Sequence, residues 1–145
     1  MCRQIKPSDA REFLQFSVDA VSKLPSEETI ARVSVDSPAD EMAIFYIRQG
    51  TMVIQRFADC FATGQMDEEE VCALYTLLIQ SEEMLGVAVQ SATGAKGKSC
   101  VGTCSDEKKA CKKAEEKQCG WNSFLCKANC FFSIKAGGGG LPIPG

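Results

Sequence analysis

The stretch CVGTCSDEKKACKKAEEKQCGWNSFLCKANC, residues 100–130, holds six of the chain's nine cysteines, and its reading decides how the last third folds. The six are mirror-symmetric about Glu115: Cys100 and Cys130, Cys104 and Cys126, and Cys111 and Cys119 stand at equal distances from it. Spacings of four and seven put Cys100, Cys104 and Cys111 on one helix face, and Cys119, Cys126 and Cys130 on one face of a returning helix. The pattern predicts an antiparallel helical hairpin with a ladder of cross-hairpin disulfides, although cysteine positions alone leave other connectivities open. Each bridge would contribute about 2–4 kcal/mol by restricting the unfolded chain. A segment this short needs that help, because its apolar inventory beyond cysteine is thin: Val101, Trp121, Phe124, Leu125, Phe131, Phe132 and Ile134.

Upstream, helix signals follow one another. Ser8 is a good N-cap with Asp9 and Glu12 in the first turn, and Phe13, Leu14, Phe16, Ala20, Val21 and Leu24 form a stripe that ends at Pro25. Ser26-Glu27-Glu28 opens a short second segment through Ile30 and Val33. Ser37-Pro38-Ala39-Asp40 opens a third helix that runs to about Thr63 and closes at Gly64. Gly50 lies inside its stripe, where a neighbouring helix could approach closely. Asp67-Glu68-Glu69-Glu70 starts a fourth helix, and the short connection between the two predicts an antiparallel pair of about 26 residues and ~39 Å per helix. Cys60 and Cys72 lie six residues to either side of Met66, which predicts a fourth bridge across this turn. That leaves Cys2 as a free thiol or an intermolecular one.

The expected fold is therefore all-α: a helical bundle followed by a disulfide-stapled antiparallel hairpin. An acidic bundle over residues 1–95 precedes a basic, Cys-rich hairpin over 96–135 and a Gly/Pro-rich tail over 136–145. Expected core positions are Phe13, Val21, Ile47, Ile54, Phe57, Leu74, Leu78 and Leu85. Charge follows the same division: residues 1–95 carry 7 basic and 15 acidic side chains, or −8, and residues 96–135 carry 9 and 4, or +5. Nucleic-acid binding is not expected, since the basic segment has no arginine and little aromatic interleaving. No stretch free of charged residues reaches the ~18–20 residues of a membrane span. Met1 to Pro7 leads into a charged amphipathic segment, so no intact secretory signal is expected.

The chain has no histidine. Ser-His-Asp or Cys-His nucleophiles and histidine-ligated zinc are thereby excluded, and no catalytic constellation stands out among the remaining side chains. Residues 92–99, Ala-Thr-Gly-Ala-Lys-Gly-Lys-Ser, fit a permissive phosphate-loop pattern but lack the preceding strand and are read as a linker.

Cys100-x3-Cys104 and Cys126-x3-Cys130 resemble the twin CX3C hairpins of the small Tim chaperones of the mitochondrial intermembrane space, and the staple logic is similar to that of CHCH proteins. The resemblance covers residues 100–130 and implies an oxidising compartment and a scaffold or assembly role. Read instead as thiolates, Cys100, Cys104, Cys111, Cys119, Cys126 and Cys130 resemble the Cu(I)-lined helices of copper storage proteins, and Cu(I) or zinc is the alternative ligand. The expectation is a non-enzymatic structural or assembly protein without a cofactor, a subunit of a larger or self-repeating complex in the intermembrane space, periplasm, a lumen or outside the cell, with the cytosol disfavoured. Phe16, Met42, Ile44, Met52, Leu77 and Ile79, off the main helix faces, are expected to supply excess apolar surface for an interface. The alternative is a Cu(I)-binding or redox-active cysteine-rich helical protein.

Overall fold

A computed structural model describes residues 10–64, 67–116 and 118–135, with the side chains of residues 10–14 and 68 left aside. All regular structure within them is helical: α1 (Ala10–Val21), α2 (Glu27–Ala31), α3 (Pro38–Thr63), α4 (Glu68–Lys113) and α5 (Cys119–Lys135). Capping chemistry sets the boundaries. Ser26 and Ser37 accept from the backbone N–H groups of Thr29 and Asp40 at 3.1 and 3.2 Å, and Asp67 accepts from that of Glu69 at 3.0 Å. Gly64 ends α3 in the left-handed region at φ 70°, with no Cβ to oppose it.

The expected linker over residues 92–99 is absent. Gly94 alone leaves helical geometry, at φ 67° and ψ −140°, and helix resumes at once because Ala92, Ala95, Lys96 and Lys98 are good helix formers. At this corner α4 folds back on itself. Glu82 and Lys108, 26 residues apart in sequence, form an ion pair at 2.6 Å, whereas a straight helix would hold them ~39 Å apart. Gly97 completes the corner, since a Cβ there would meet the Thr93 side chain and, at 2.9 Å, the Val89 carbonyl. The phosphate-loop-like residues 92–99 are thus the inside of a helical corner. One 18-residue window of α4, at mean hydropathy 1.2, is long and apolar enough to cross a membrane, but 44% of it is buried within the bundle and the helix bends back at Gly94.

α5 sits in the middle. Its first arm-to-arm neighbour is α4, but it also meets α1 and α3, and eleven of its residues are buried, including Trp121, Phe124, Phe131 and Phe132. Trp121 lies 5.5 Å from Phe57, 5.9 Å from Tyr75 and 6.4 Å from Phe16, ring centre to ring centre, joining α5 to α3, α4 and α1. Phe124 packs onto Gly50 so closely that a Cβ there would overlap its ring. The thin apolar inventory of the Cys-rich segment therefore belongs to a core shared with the acidic helices. That is how a short, lysine-rich segment finds enough apolar surface to bury.

Ile47, Ile54, Phe57, Leu78 and Leu85 are fully buried and Leu74 is half-buried. Val21 is not a core residue: it is 36% exposed, because α1 ends there and turns its last residue outward. The Phe13 side chain lies outside the described residues. Ile44, expected on an outer face, is buried, while Met42 and Met52 are exposed.

Candidate functional site

Three bridges tie the second arm of α4, residues 95–113, to α5. Cys100 is bonded to Cys130, Cys104 to Cys126 and Cys111 to Cys119, with Cα separations of 5.9, 5.7 and 5.7 Å, all within the span a disulfide requires. The ladder has an inside and an outside. Cys104 and Cys130 are 1% and 2% exposed, whereas Cys100 and Cys126 are half-buried. The inner sulfurs of the two neighbouring rungs touch: Cys104 Sγ and Cys130 Sγ, which belong to different bridges, are 3.6 Å apart. Together with Cys126 they bring three sulfurs within 4.8 Å of one another. Paired as disulfides, these six cysteines carry no thiolate, the form in which sulfur ligates Cu(I) or zinc.

The expected bridge between Cys60 and Cys72 does not form. Cys60 is a free, buried thiol, and Cys72 is disulfide-bonded to a partner outside the described residues. Equal distance from a turn fixes height along two antiparallel helices but not which side of each helix a residue occupies. Nor is the turn centred on Met66: the contacts Arg56–Glu70 and Gln49–Ser81 that cross it have midpoints at positions 63 and 65, so Cys60 and Cys72 are out of level. Burial pushes the Cys60 thiol above its ordinary pKa, and Glu70 and Asp59 add to that against the opposing charge of Arg56. It is an inert thiol by these surroundings. Cys2 lies outside the described residues.

Beside the ladder is a cluster of charges that the sequence reading missed. Glu82 is completely buried, and its carboxylate takes an ion pair from Lys108 at 2.6 Å and one from Lys127 at 3.2 Å. Burial by itself would raise the Glu82 pKa, but the hydrogen bond from Lys108 and the charges of Lys127 and Lys108 outweigh it, so the carboxyl is held below its ordinary value. One carboxylate thus ties together both arms of α4 and the centre of α5. The signal was present in the sequence: Glu82 falls on the stripe of Leu78, Leu85 and Val89, and Lys127 falls in the most apolar helix. A second ionic tie closes the far end, where Lys135 reaches Asp40 at 3.1 Å and Asp36 at 3.4 Å. A pocket of about 360 Å³ lies at the closed end of the hairpin, lined by Glu107, Lys108, Glu116, Asn122 and the Cys111–Cys119 bridge.

α2, the connection after it and α3 form a groove of about 640 Å³ lined by Ile30, Val33, Val35, Ile44, Phe45 and Met52, with Glu41, Arg48 and Gln49 at its rim. Phe45 and Met52 are 58% and 62% exposed, and Val35 and Met42 nearly half. Sequence periodicity pointed at Met42 and Met52; Phe45 and Val35 it did not single out, because they lie off the main stripe and in a connection. No known protein family, curated protein or solved structure matches the chain.

Proposed function

We propose that the protein is a structural subunit that associates with further copies of itself in an oxidising compartment. The observation that carries this reading is the groove edged by Phe45, Met52 and Val35, apolar surface of the kind that marks interfaces when it is contiguous and rimmed by polar groups. Charge complementarity names the occupant. Glu41 and Arg48 both stand at the rim; Arg48 is paired with Glu27, Arg32 with Glu28 and Lys135 with Asp36, which leaves Glu41 as the rim acid that faces an incoming cation. The outward face of the second arm of α4 presents the exposed Lys96, Lys98, Lys109, Lys112 and Lys113. Lysine stems cover apolar surface while their ammonium groups reach Glu41 at the rim, and Phe45 offers a ring face to a cation. Seating the basic arm of one copy on the groove of the next gives a head-to-tail contact, which builds rings or filaments.

The disulfides, which replace metal and extra core as the staple of the hairpin, support the oxidising compartment. Sedimentation velocity across a concentration series tests the reading. Association at low salt is expected, weakened by added salt and abolished in the Phe45→Glu/Met52→Glu variant. A chain that stays monomeric at high concentration and low salt removes this function.

A further inference from the structure

We propose that the stacked bridges Cys100–Cys130 and Cys104–Cys126 form a disulfide-exchange centre that oxidises an external dithiol and then re-pairs internally as Cys104–Cys130. The proposal does not depend on the assembly reading above. It rests on the 3.6 Å contact between Cys104 Sγ and Cys130 Sγ and on the difference in exposure between the inner and outer sulfurs.

Exchange proceeds by attack of a thiolate on a disulfide sulfur. An external thiolate can approach the half-buried Cys100 Sγ. Its attack forms a mixed disulfide with Cys100, breaks the Cys100–Cys130 bond and leaves the electron pair on Cys130. A thiolate at Cys130 is costly there, because the residue is 2% exposed and flanked by the buried Phe131 and Phe132. Cys104 Sγ is already in contact with it. Attack of Cys130 on Cys104 makes the Cys104–Cys130 bond, breaks Cys104–Cys126 and moves the charge to the half-buried Cys126, where it takes up a proton. Glu107, whose carboxylate lies 3.9 Å from Cys126 Sγ, favours the thiol there over the thiolate and so slows the return.

The second thiol of the external molecule then attacks its own mixed-disulfide sulfur and releases Cys100, which is also protonated. Two electrons and two protons have moved from the dithiol to the protein. The dithiol leaves as a disulfide, and the protein keeps one buried bridge between α4 and α5, with thiols at Cys100 and Cys126. The Cys111–Cys119 bridge has no neighbouring sulfur among the described residues with which to re-pair, and stands apart from the reaction. The substrate class is a flexible dithiol, such as a pair of cysteines in an unfolded segment of another protein.

Trypsin makes the outcome legible, because cleavage after Lys98, Lys108, Lys117, Lys127 and Lys135 separates Cys126 from Cys130 while keeping Cys100 with Cys104. The protein is treated anaerobically with one equivalent of dithiothreitol, the free thiols are alkylated, and the peptides are identified by mass spectrometry. The expected two-electron product links residues 99–108 to 128–135 through Cys104 and Cys130, with the alkyl groups on Cys100 and Cys126. Alkylation of Cys100 and Cys130 with Cys104–Cys126 intact overturns the proposal. So does alkylation of Cys104 and Cys126 with Cys100–Cys130 intact. As a second measurement, removing the acceptor rung in Cys104→Ser/Cys126→Ser should slow dithiothreitol consumption at the remaining bridge about tenfold or more, while Cys111→Ser/Cys119→Ser should leave that rate unchanged; equal rates in all three proteins would also overturn it.

Discussion

Alanine placed at two helical glycines should move stability in opposite directions. At Gly102 a Cβ meets nothing within 4 Å and the position is exposed, so Gly102→Ala gains only the helix-propensity difference, about 1 kcal/mol. At Gly50 the same Cβ falls on the Phe124 ring, which is fully buried at the centre of the bundle. Relief requires Phe124 to leave its rotamer, at about 0.5–1.5 kcal/mol, or α3 and α5 to part. Overpacking of this kind costs about 1–3 kcal/mol, and the depth of the overlap argues for the upper end. After the propensity gain, Gly50→Ala should be less stable than wild type by roughly 2 kcal/mol. At about 2–4 °C per kcal/mol for a chain near this size, the oxidised Gly102→Ala protein should melt ~2–4 °C higher and Gly50→Ala ~4–8 °C lower, as followed by circular dichroism. Combining Gly50→Ala with Phe124→Leu should be less damaging than the sum of the two single changes, because the smaller side chain vacates the site of overlap. If Gly50→Ala raises the melting temperature as Gly102→Ala does, α5 is not seated against α3 and the central placement of that helix is wrong.

Glu82→Gln removes the charge that compensates Lys127 inside the bundle and should cost about 3–5 kcal/mol in urea unfolding at pH 7. Because the folded pKa of Glu82 lies below its ordinary 4.5, its contribution is full above that pH and is lost as pH falls through the folded value. The variant should therefore lose less stability than wild type on acidification, and an unchanged acid limb would refute the role given to Glu82. Gly94→Ala places a Cβ in a region of φ and ψ open essentially to glycine and should cost about 1–3 kcal/mol, measured by the same unfolding curves. Cys60 should resist thiol reagents in the native protein and react fully after denaturation without reductant; fast labelling of the native state would show that its burial is wrong.

Much of the fold is local chemistry and can be read as such. Ser37-Pro38, Gly64 and Asp67 mark helix ends because cap positions have requirements that a few residue types meet. The mirror spacing of six cysteines about Glu115 is equally visible, and the structure joins them across that centre. What escaped was long-range. A glycine in a small-residue stretch suits a flexible linker or a sharp corner, and only the packing of Lys108 on Glu82 separates the two at Gly94. Cys60 and Cys72 misled because sequence symmetry carries no azimuth. Phe45 resembles any core phenylalanine until α2 is seen to leave one side of α3 open. Of the candidate site, the sulfurs were legible as positions, but the contact between Cys104 and Cys130 depends on how two helices cross, which spacing does not determine.

The placement of α5 bears on the order in which the molecule is built. A chain emerging from the ribosome delivers its N-terminal segments first, and domains commonly begin to fold in that order. Here α5, made after the other four described helices, is the one that three of them meet: Trp121 supplies the shared contact of Phe16, Phe57 and Tyr75, and Lys127 supplies a countercharge for Glu82. Until α5 arrives, the Glu82 carboxylate lacks the Lys127 countercharge and Gly50 lacks the Phe124 ring that packs on it. Native structure thus waits for α5, and oxidation of the ladder waits for that helix to dock. A chain with that schedule keeps its central core incomplete until α5 is in place.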